Sequence, residues 1–247
     1  MANITVPRAP TKFEAVTQIV IDNLEGGYYH PNMKVREPKK FAVMKDSGET
    51  MYGIDRKAGG DINTTEAGKA FWAIIDGQNA ANTWTYQYKA TGEVAKNLKM
   101  LAAKMIYDVY VKLCNLYGID RSIVDNDECL LVHWCYACWN GSKHFRNYAK
   151  IFNAELNRQK KKGGKYDYDL LRAAALYARQ TDYVKDIRDR AYRISDIWKK
   201  YYKYTLPEKA LKQIKEGNKS YLLWILGGVL LVGGGVGFYI YKKRKKQ

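Results

Sequence analysis

The sequence predicts an α+β protein that is predominantly helical, with one small β-hairpin and a C-terminal transmembrane helix. Apolar residues recur at steps of three and four along most of the chain, as in amphipathic helices. Strand signals are confined to about 40–54, and an uncharged apolar segment occupies 221–241. With 247 residues, 47% of them hydrophobic, the chain can fill one core and carry attachments.

The first predicted helix starts at a capping-box pattern, Thr11 with Glu14. Gly26 and Gly27 favour its end, because glycine tolerates left-handed backbone. Glu25 therefore lies in the last turn, beside unpaired carbonyl groups and an apolar stripe of Phe13, Val16, Ile19, Val20, Ile21 and Leu24. Both surroundings disfavour a carboxylate, so we expect a raised pKa, which suits a general acid.

A turn-rich stretch follows, reading from Asp46 through Ser-Gly-Glu to Thr50 and through Met-Tyr to Gly53 and Ile54. Cleavage of a glycosidic bond needs a sheltered acid and a second polar group across the cleft. A helix end can supply the first and a hairpin the second. The sequence therefore indicates a glycosidase, with Asp55 as an alternative to Asp46 for the second carboxylate.

The motif E-G-G-Y followed by D-x-G-x-T-x-Y-G-I resembles the start of the family 108 glycoside hydrolases, muramidases of phages and bacteria. It is similar, more distantly, to the phage-type lysozymes. The resemblance covers about 12–157 and implies a lysozyme-like domain over 1–157. It assigns the catalytic acid to Glu25, the carboxylate facing the cleft to Asp46 and the hydroxyl that positions water to Thr50.

The same resemblance implies hairpin glycines at Gly48 and Gly53, and a turn at Trp139-Asn140-Gly141. Tyr28, Tyr52 and Asn140 are the residues that it places in contact with the sugar. A segment inserted around 34–40 separates the acid from the hairpin.

Three further helices are predicted within this domain, at about 93–117, 126–138 and 142–157. The second is apolar nearly all round, which is typical of a buried central helix. A basic linker at 160–165 and one long helix at 168–204 then form a helical stalk over 158–220. The face of the long helix predicted to be exposed carries Lys185, Arg188, Arg190, Arg193, Lys199 and Lys200.

The positive charge is concentrated behind the predicted catalytic domain. Residues 1–141 contain 16 basic and 16 acidic residues, whereas 142–247 contain 26 and 9, so the net charge of +17 resides in the second part. A nucleic-acid-binding protein would place its basic surface on the main folded unit. The distribution therefore argues against that class of protein.

The segment 221–241 would span roughly 30 Å as a helix, the thickness of the hydrocarbon core of a bilayer. Aromatic residues lie at both ends, and the basic tail 242–247 follows. We expect a single-pass protein of a phage virion's internal membrane or of the bacterial inner membrane, with capsid or membrane proteins as possible partners. The G-x-x-x-G spacing of Gly233 and Gly237 would permit self-association.

Cys135-x-x-Cys138, with His133 nearby, suggests a zinc or redox site. The pair lies within a predicted helix and lacks a second C-x-x-C at zinc-ribbon spacing. Buried thiols that pack as small hydrophobes are the favoured interpretation, so no metal or cofactor is expected.

Together these features predict a membrane-anchored peptidoglycan hydrolase that cleaves between N-acetylmuramic acid and N-acetylglucosamine. Two alternatives remain open. A lytic transglycosylase would need only one essential carboxyl group, and a virion-membrane protein could keep the lysozyme fold as an inactive scaffold.

Overall fold

The computed structural model describes residues 6–25, 28–29, 49–57, 60–80 and 90–218. This part of the chain is predominantly helical with a small antiparallel sheet, as the sequence predicts. Its helices are α1 Thr11–Asn23, α2 Glu66–Ala80, α3 Gly92–Tyr117, α4 Arg121–Val124, α5 Glu128–Ala137, α6 Ser142–Lys162, α7 Tyr168–Gln180, α8 Lys185–Tyr202 and α9 208–218. Short 3-10 helices span Gly60–Thr64 and Cys138–Asn140.

The sheet has three strands of two residues each in the order β1 Tyr28–Tyr29, β2 Thr50–Met51 and β3 Ile54–Asp55. Both pairs are antiparallel, with Tyr28 opposite Met51 and Met51 opposite Ile54. The hairpin therefore turns at Tyr52 and Gly53. Gly48, the other predicted hairpin glycine, lies outside the described residues, and so does most of the predicted strand region 40–54.

Helix α5 lies at the centre of the helical body and contacts α1, α3, α7 and α8. Every residue from Cys129 to Ala137 is buried, which confirms the prediction of a buried central helix. Asp127 caps its N-terminus by accepting a hydrogen bond from the Leu130 amide at 2.8 Å. Arg172 of α7 pairs with the same carboxylate and so joins α7 to this cap.

Two local predictions at helix boundaries are wrong. Thr11 and Glu14 do not form a capping box, because Pro10 is the N-cap residue and the Glu14 carboxylate instead pairs with Arg8 at 2.6 Å. The predicted helix 168–204 is two helices separated at 181–184. Asp182 causes this break, since its carboxylate accepts from the Val184 amide at 2.9 Å and its carbonyl accepts from Arg188 at 2.7 Å.

The predicted boundary between a catalytic domain and a stalk at 157/158 falls within helix α6. Helix α6 continues through it to Lys162, which includes the first half of the predicted linker. Residues of α7 and α8 belong to the same hydrophobic core as α1, α3 and α5. Trp198 of α8, for example, is fully buried and donates to the Cys129 carbonyl at 2.9 Å. The folded body therefore extends at least through α8.

Helix α9 packs on α7 through a separate small cluster of Leu170, Ala173, Ala174, Ala210 and Ile214. None of the helices among the described residues is long and apolar enough to cross a membrane. The predicted span 221–241, its Gly233 and Gly237, and the tail 242–247 lie outside those residues.

Candidate functional site

Glu25 lies just beyond the C-terminal end of α1 and faces the β-hairpin. Its backbone amide still donates to the Val20 carbonyl at 3.3 Å, so the helix holds the residue in place. Only 11% of its side chain is exposed. The predicted acid is therefore rigidly placed and sheltered from water.

The hairpin turn approaches the Glu25 carboxylate at Gly53. Tyr52 and Gly53 have φ angles of 52° and 69°, as a two-residue turn of this twist requires. A Cβ atom at position 53 would overlap Oε2 of Glu25. Glycine is thus needed at this position both for the backbone conformation and for the close approach. The structure brings together the helix end and the hairpin, as predicted.

Arg190 contacts the Glu25 carboxylate at Oε1, whereas the hairpin turn is nearest to Oε2. The Nη1 atom of Arg190 donates to Glu25 Oε1 at 3.2 Å and to the Tyr136 hydroxyl at 2.6 Å. Arg190 therefore joins the carboxylate to the phenol of Tyr136.

The pKa of Glu25 is raised above its ordinary value of 4.5 because burial penalises the carboxylate. The charge of Arg190, the hydrogen bond from Tyr136, and the more distant charges of Arg179 and Arg193 all act in the opposite direction. Burial is the largest of these effects, so the protonated form gains population towards neutral pH. This agrees with the expectation for a general acid, although the cause is burial under the hairpin and α8.

A groove of about 470 Å³ begins at the hairpin turn. One wall consists of Gly53, Ile54 and Asp55 with Asp61 and Ile62 of the 3-10 helix that follows them. The other consists of Cys138, Trp139, Gly141 and Ser142. Ile106, Val109 and Leu113 of α3 form its floor. Gly53 lies against the Glu25 carboxylate and also lines the groove, whereas Glu25 itself is not among the residues that line it.

The structure describes only some of the other predicted site residues. Asp46 lies outside the described residues, as does the side chain of Tyr28, whose backbone forms β1. Thr50 lies in β2 opposite Asp55 and is half-buried. Asp55, the alternative second carboxylate, lines the groove and accepts from the Lys57 amide at 2.7 Å.

Tyr52 does not offer its ring to a ligand, contrary to the prediction. Only 6% of the residue is exposed, and its ring packs 6.5 Å from that of Phe71. Its carbonyl accepts from the Trp139 indole at 2.9 Å, which ties the hairpin turn to the opposite wall of the groove. Tyr52 is therefore a structural residue of the hairpin.

Asn140 is half-buried beside this wall, and its Oδ1 atom accepts from Arg179 at 2.6 Å. The predicted turn at Trp139-Asn140-Gly141 exists, with Gly141 at a φ of 81°. The side-chain oxygen of Asn140 is thus hydrogen-bonded within the protein, to Arg179.

Sequence reasoning missed Tyr136, Arg179 and Arg190. Arg190 was placed on an exposed face, but its side chain is directed at Glu25 and only 37% exposed. Periodicity could indicate that α8 has a buried stripe. It could not indicate that the flank of this stripe would meet a residue 165 positions earlier.

All four cysteines are buried free thiols, as predicted. Burial raises the pKa of Cys135 to about 12, so this thiol is neutral and unreactive. Among the described residues no group of histidine, cysteine and carboxylate side chains could hold a metal ion.

The chain matches no protein-family model, no curated protein and no solved structure.

Proposed function

We propose that this protein is a peptidoglycan hydrolase of the muramidase type, with a lysozyme-like arrangement of helices and hairpin. The observation that supports this most strongly is the sheltered Glu25 carboxyl, which lies against the turn of a hairpin that lines a groove. Retaining and inverting glycosidases both place a carboxylic acid of raised pKa beside the glycosidic oxygen. The motif containing Glu25 and Gly53 supports the same class of enzyme.

In the proposed reaction Glu25 donates its proton to the oxygen that leaves the N-acetylmuramic acid ring. The glycosidic bond breaks as positive charge develops on that ring. The carboxylate left behind is stabilised by the hydrogen bond and the charge of Arg190. Burial thus favours the protonated form of Glu25 before proton transfer. Arg190 stabilises the Glu25 carboxylate afterwards.

Asp46, with Thr50, would direct the attacking water or stabilise the oxocarbenium-like transition state. Asp55 is the alternative, since it lines the groove next to the turn. Asp46→Asn and Asp55→Asn, assayed in parallel, separate the two assignments. We expect the variant that lacks the catalytic carboxylate to lose activity by about 100-fold or more.

Zymography of the full-length protein in detergent on peptidoglycan tests the proposal. We expect clearing by the parent protein and none by Glu25→Gln. Glu14→Gln is the matched control, because Glu14 is also a buried carboxylate of the α1 region paired with an arginine. Clearing by all three proteins would refute the role of Glu25.

Mass spectrometry of the released fragments identifies the reaction. Hydrolysis adds one water to the product, whereas a lytic transglycosylase leaves a 1,6-anhydro ring. If the folded parent protein clears no wall, the inactive-scaffold alternative replaces the enzyme.

The proposed setting is a membrane, with 221–241 as the anchor and 242–247 as its basic end. Internal membranes of phage virions and bacterial inner membranes both fit, with capsid or membrane proteins as neighbours. Flotation with liposomes tests the anchor. The full chain should float, and a chain ending at residue 218 should not. Crosslinking of Gly233→Leu and Gly237→Leu variants tests self-association.

A further inference from the structure

Arg179 of α7 is the most unusual charged residue of the described structure, because it is fully buried. Its guanidinium lies between two aromatic rings, 4.6 Å from the centre of Tyr136 and 5.0 Å from that of Tyr148. Its Nη1 atom donates to Asn140. Its Nε and Nη2 atoms have no hydrogen-bond partner within the described part of the chain.

A buried cation with incomplete hydrogen bonding is costly, and an apolar residue of similar volume would often stabilise the fold better. Cation–π contacts with the two rings offset part of this cost. Burial lowers the pKa of Arg179, but an arginine starts so far above neutrality that it keeps its charge. Stability alone therefore does not account for an arginine at this position.

Two arginines fix Tyr136 in complementary ways. Arg190 donates to its hydroxyl at 2.6 Å, and Arg179 lies against the face of its ring. The Nη1 atom of Arg190 that donates to this hydroxyl also donates to Glu25 Oε1. Arg179 is thus linked to the proposed acid through Tyr136 and Arg190, and its partner Asn140 lies between Trp139 and Gly141, which line the groove.

We propose that Arg179 is a positioning residue of the catalytic site: it orients Tyr136 towards Glu25, fixes Asn140 beside the groove, and supplies positive charge that favours the Glu25 carboxylate once its proton has left. This inference rests on the proposed function. The charged and titratable groups that act on Glu25 are Arg190 and Arg193 from α8, Tyr136 from α5 and Arg179 from α7.

Arg179→Met removes the charge at similar volume, and Arg179→Lys keeps the charge but loses the planar fork. Arg146→Met, at an exposed arginine of α6, is the matched control. Each full-length variant is studied in detergent by two measurements. One is the 13C NMR titration of the Glu25 carboxyl, assigned with Glu25→Gln, and the other is kcat and KM against pH.

For Arg179→Met we expect the Glu25 titration to move to higher pH, because a nearby cation is lost. We also expect kcat to fall on the order of tenfold, because the acid is less well oriented. KM should change less than kcat. Arg179→Lys should restore the titration while kcat stays low, and Arg146→Met should match the parent protein in both.

The inference is overturned if Arg179→Met and Arg146→Met have the same Glu25 titration and the same kcat. The muramidase proposal would then remain intact. If Arg179→Met does not fold, the kcat of Arg179→Lys decides, and an unreduced value overturns the inference. If the parent protein has no activity, the muramidase proposal fails and the titration alone decides. A shift then supports the coupling of Arg179 to Glu25, and no shift refutes it.

Discussion

Gly53 lies directly against Glu25, because the backbone of the hairpin turn comes so close to the carboxylate that a side chain at position 53 would have no room. This contact links a helix end to a hairpin that are 28 positions apart in the chain. It also makes the site sensitive to a single methyl group.

Gly53→Ala should therefore abolish activity. Alanine would be strained at a φ of 69° by about 1–2 kcal/mol, and its Cβ would displace the Glu25 carboxylate. Gly118→Ala is the control, because Gly118 has a φ of 66° but an added Cβ would make only an ordinary van der Waals contact, 3.9 Å from Asn153 Nδ2. We expect similar losses in the free energy of unfolding from both and a loss of wall clearing from Gly53→Ala only. Equal activities would mean that the contact is unimportant.

Arg190→Gln should move the basic limb of the activity profile to higher pH. The acid must be protonated to act, and loss of the paired cation raises the pKa of Glu25 further. Arg193→Gln should shift the limb in the same direction but less, because Arg193 is exposed and its influence on Glu25 is weaker. The measurement is kcat/KM against pH for the three proteins. An unshifted limb in Arg190→Gln would show that another group limits the rate.

The stability of the protein should depend on pH through Glu25. Its pKa is higher in the folded state than its ordinary value of 4.5, so the folded protein binds this proton more tightly. The resulting stabilisation is complete below 4.5 and is lost as pH rises through the folded-state pKa. The free energy of unfolding of the parent protein should therefore fall relative to that of Glu25→Gln across this window. Urea titrations at several pH values measure the difference, and a constant difference would contradict the raised pKa.

Trp198→Ala should destabilise the whole folded body by about 3–5 kcal/mol, because this side chain is fully buried. Labelling of the buried cysteines during denaturant unfolding reports on the core around α5. For Trp198→Ala we expect the denaturant concentration at the midpoint of cysteine labelling to fall. The midpoint for loss of helix should fall by the same amount. Tyr192→Ala, at a residue of the same helix that is 69% exposed, should leave both unchanged. Labelling that is insensitive to Trp198→Ala would restore the idea of a separate stalk.

The sequence predicted those parts of the fold and site that depend on local patterns. The periodicity of α3 and α5 gave helices close to their observed bounds, and the E-G-G-Y motif located Glu25. The family resemblance implied that Gly53 is a hairpin residue, and its φ of 69° lies in the left-handed region that favours glycine. Local composition was sufficient for these features.

What could not be predicted depends on contacts between distant segments. No proline or glycine marks the break between α7 and α8, which arises from the hydrogen bonds of Asp182. Thr11 and Glu14 matched a capping box, but Arg8 competed for the carboxylate. Arg179 and Arg190 looked like solvated charges, since nothing in their neighbourhood in sequence reveals that Tyr136 lies beside them.

The ion pair between Glu25 and Arg190 joins the first helix to the eighth. During synthesis the ribosome must therefore release almost all of the described chain before the acid acquires its counter-ion. A polypeptide cut short before α8 would expose an unsupported Glu25. The order of translation thus delays the pairing of Glu25 with Arg190 until the C-terminal part of the described chain is being made.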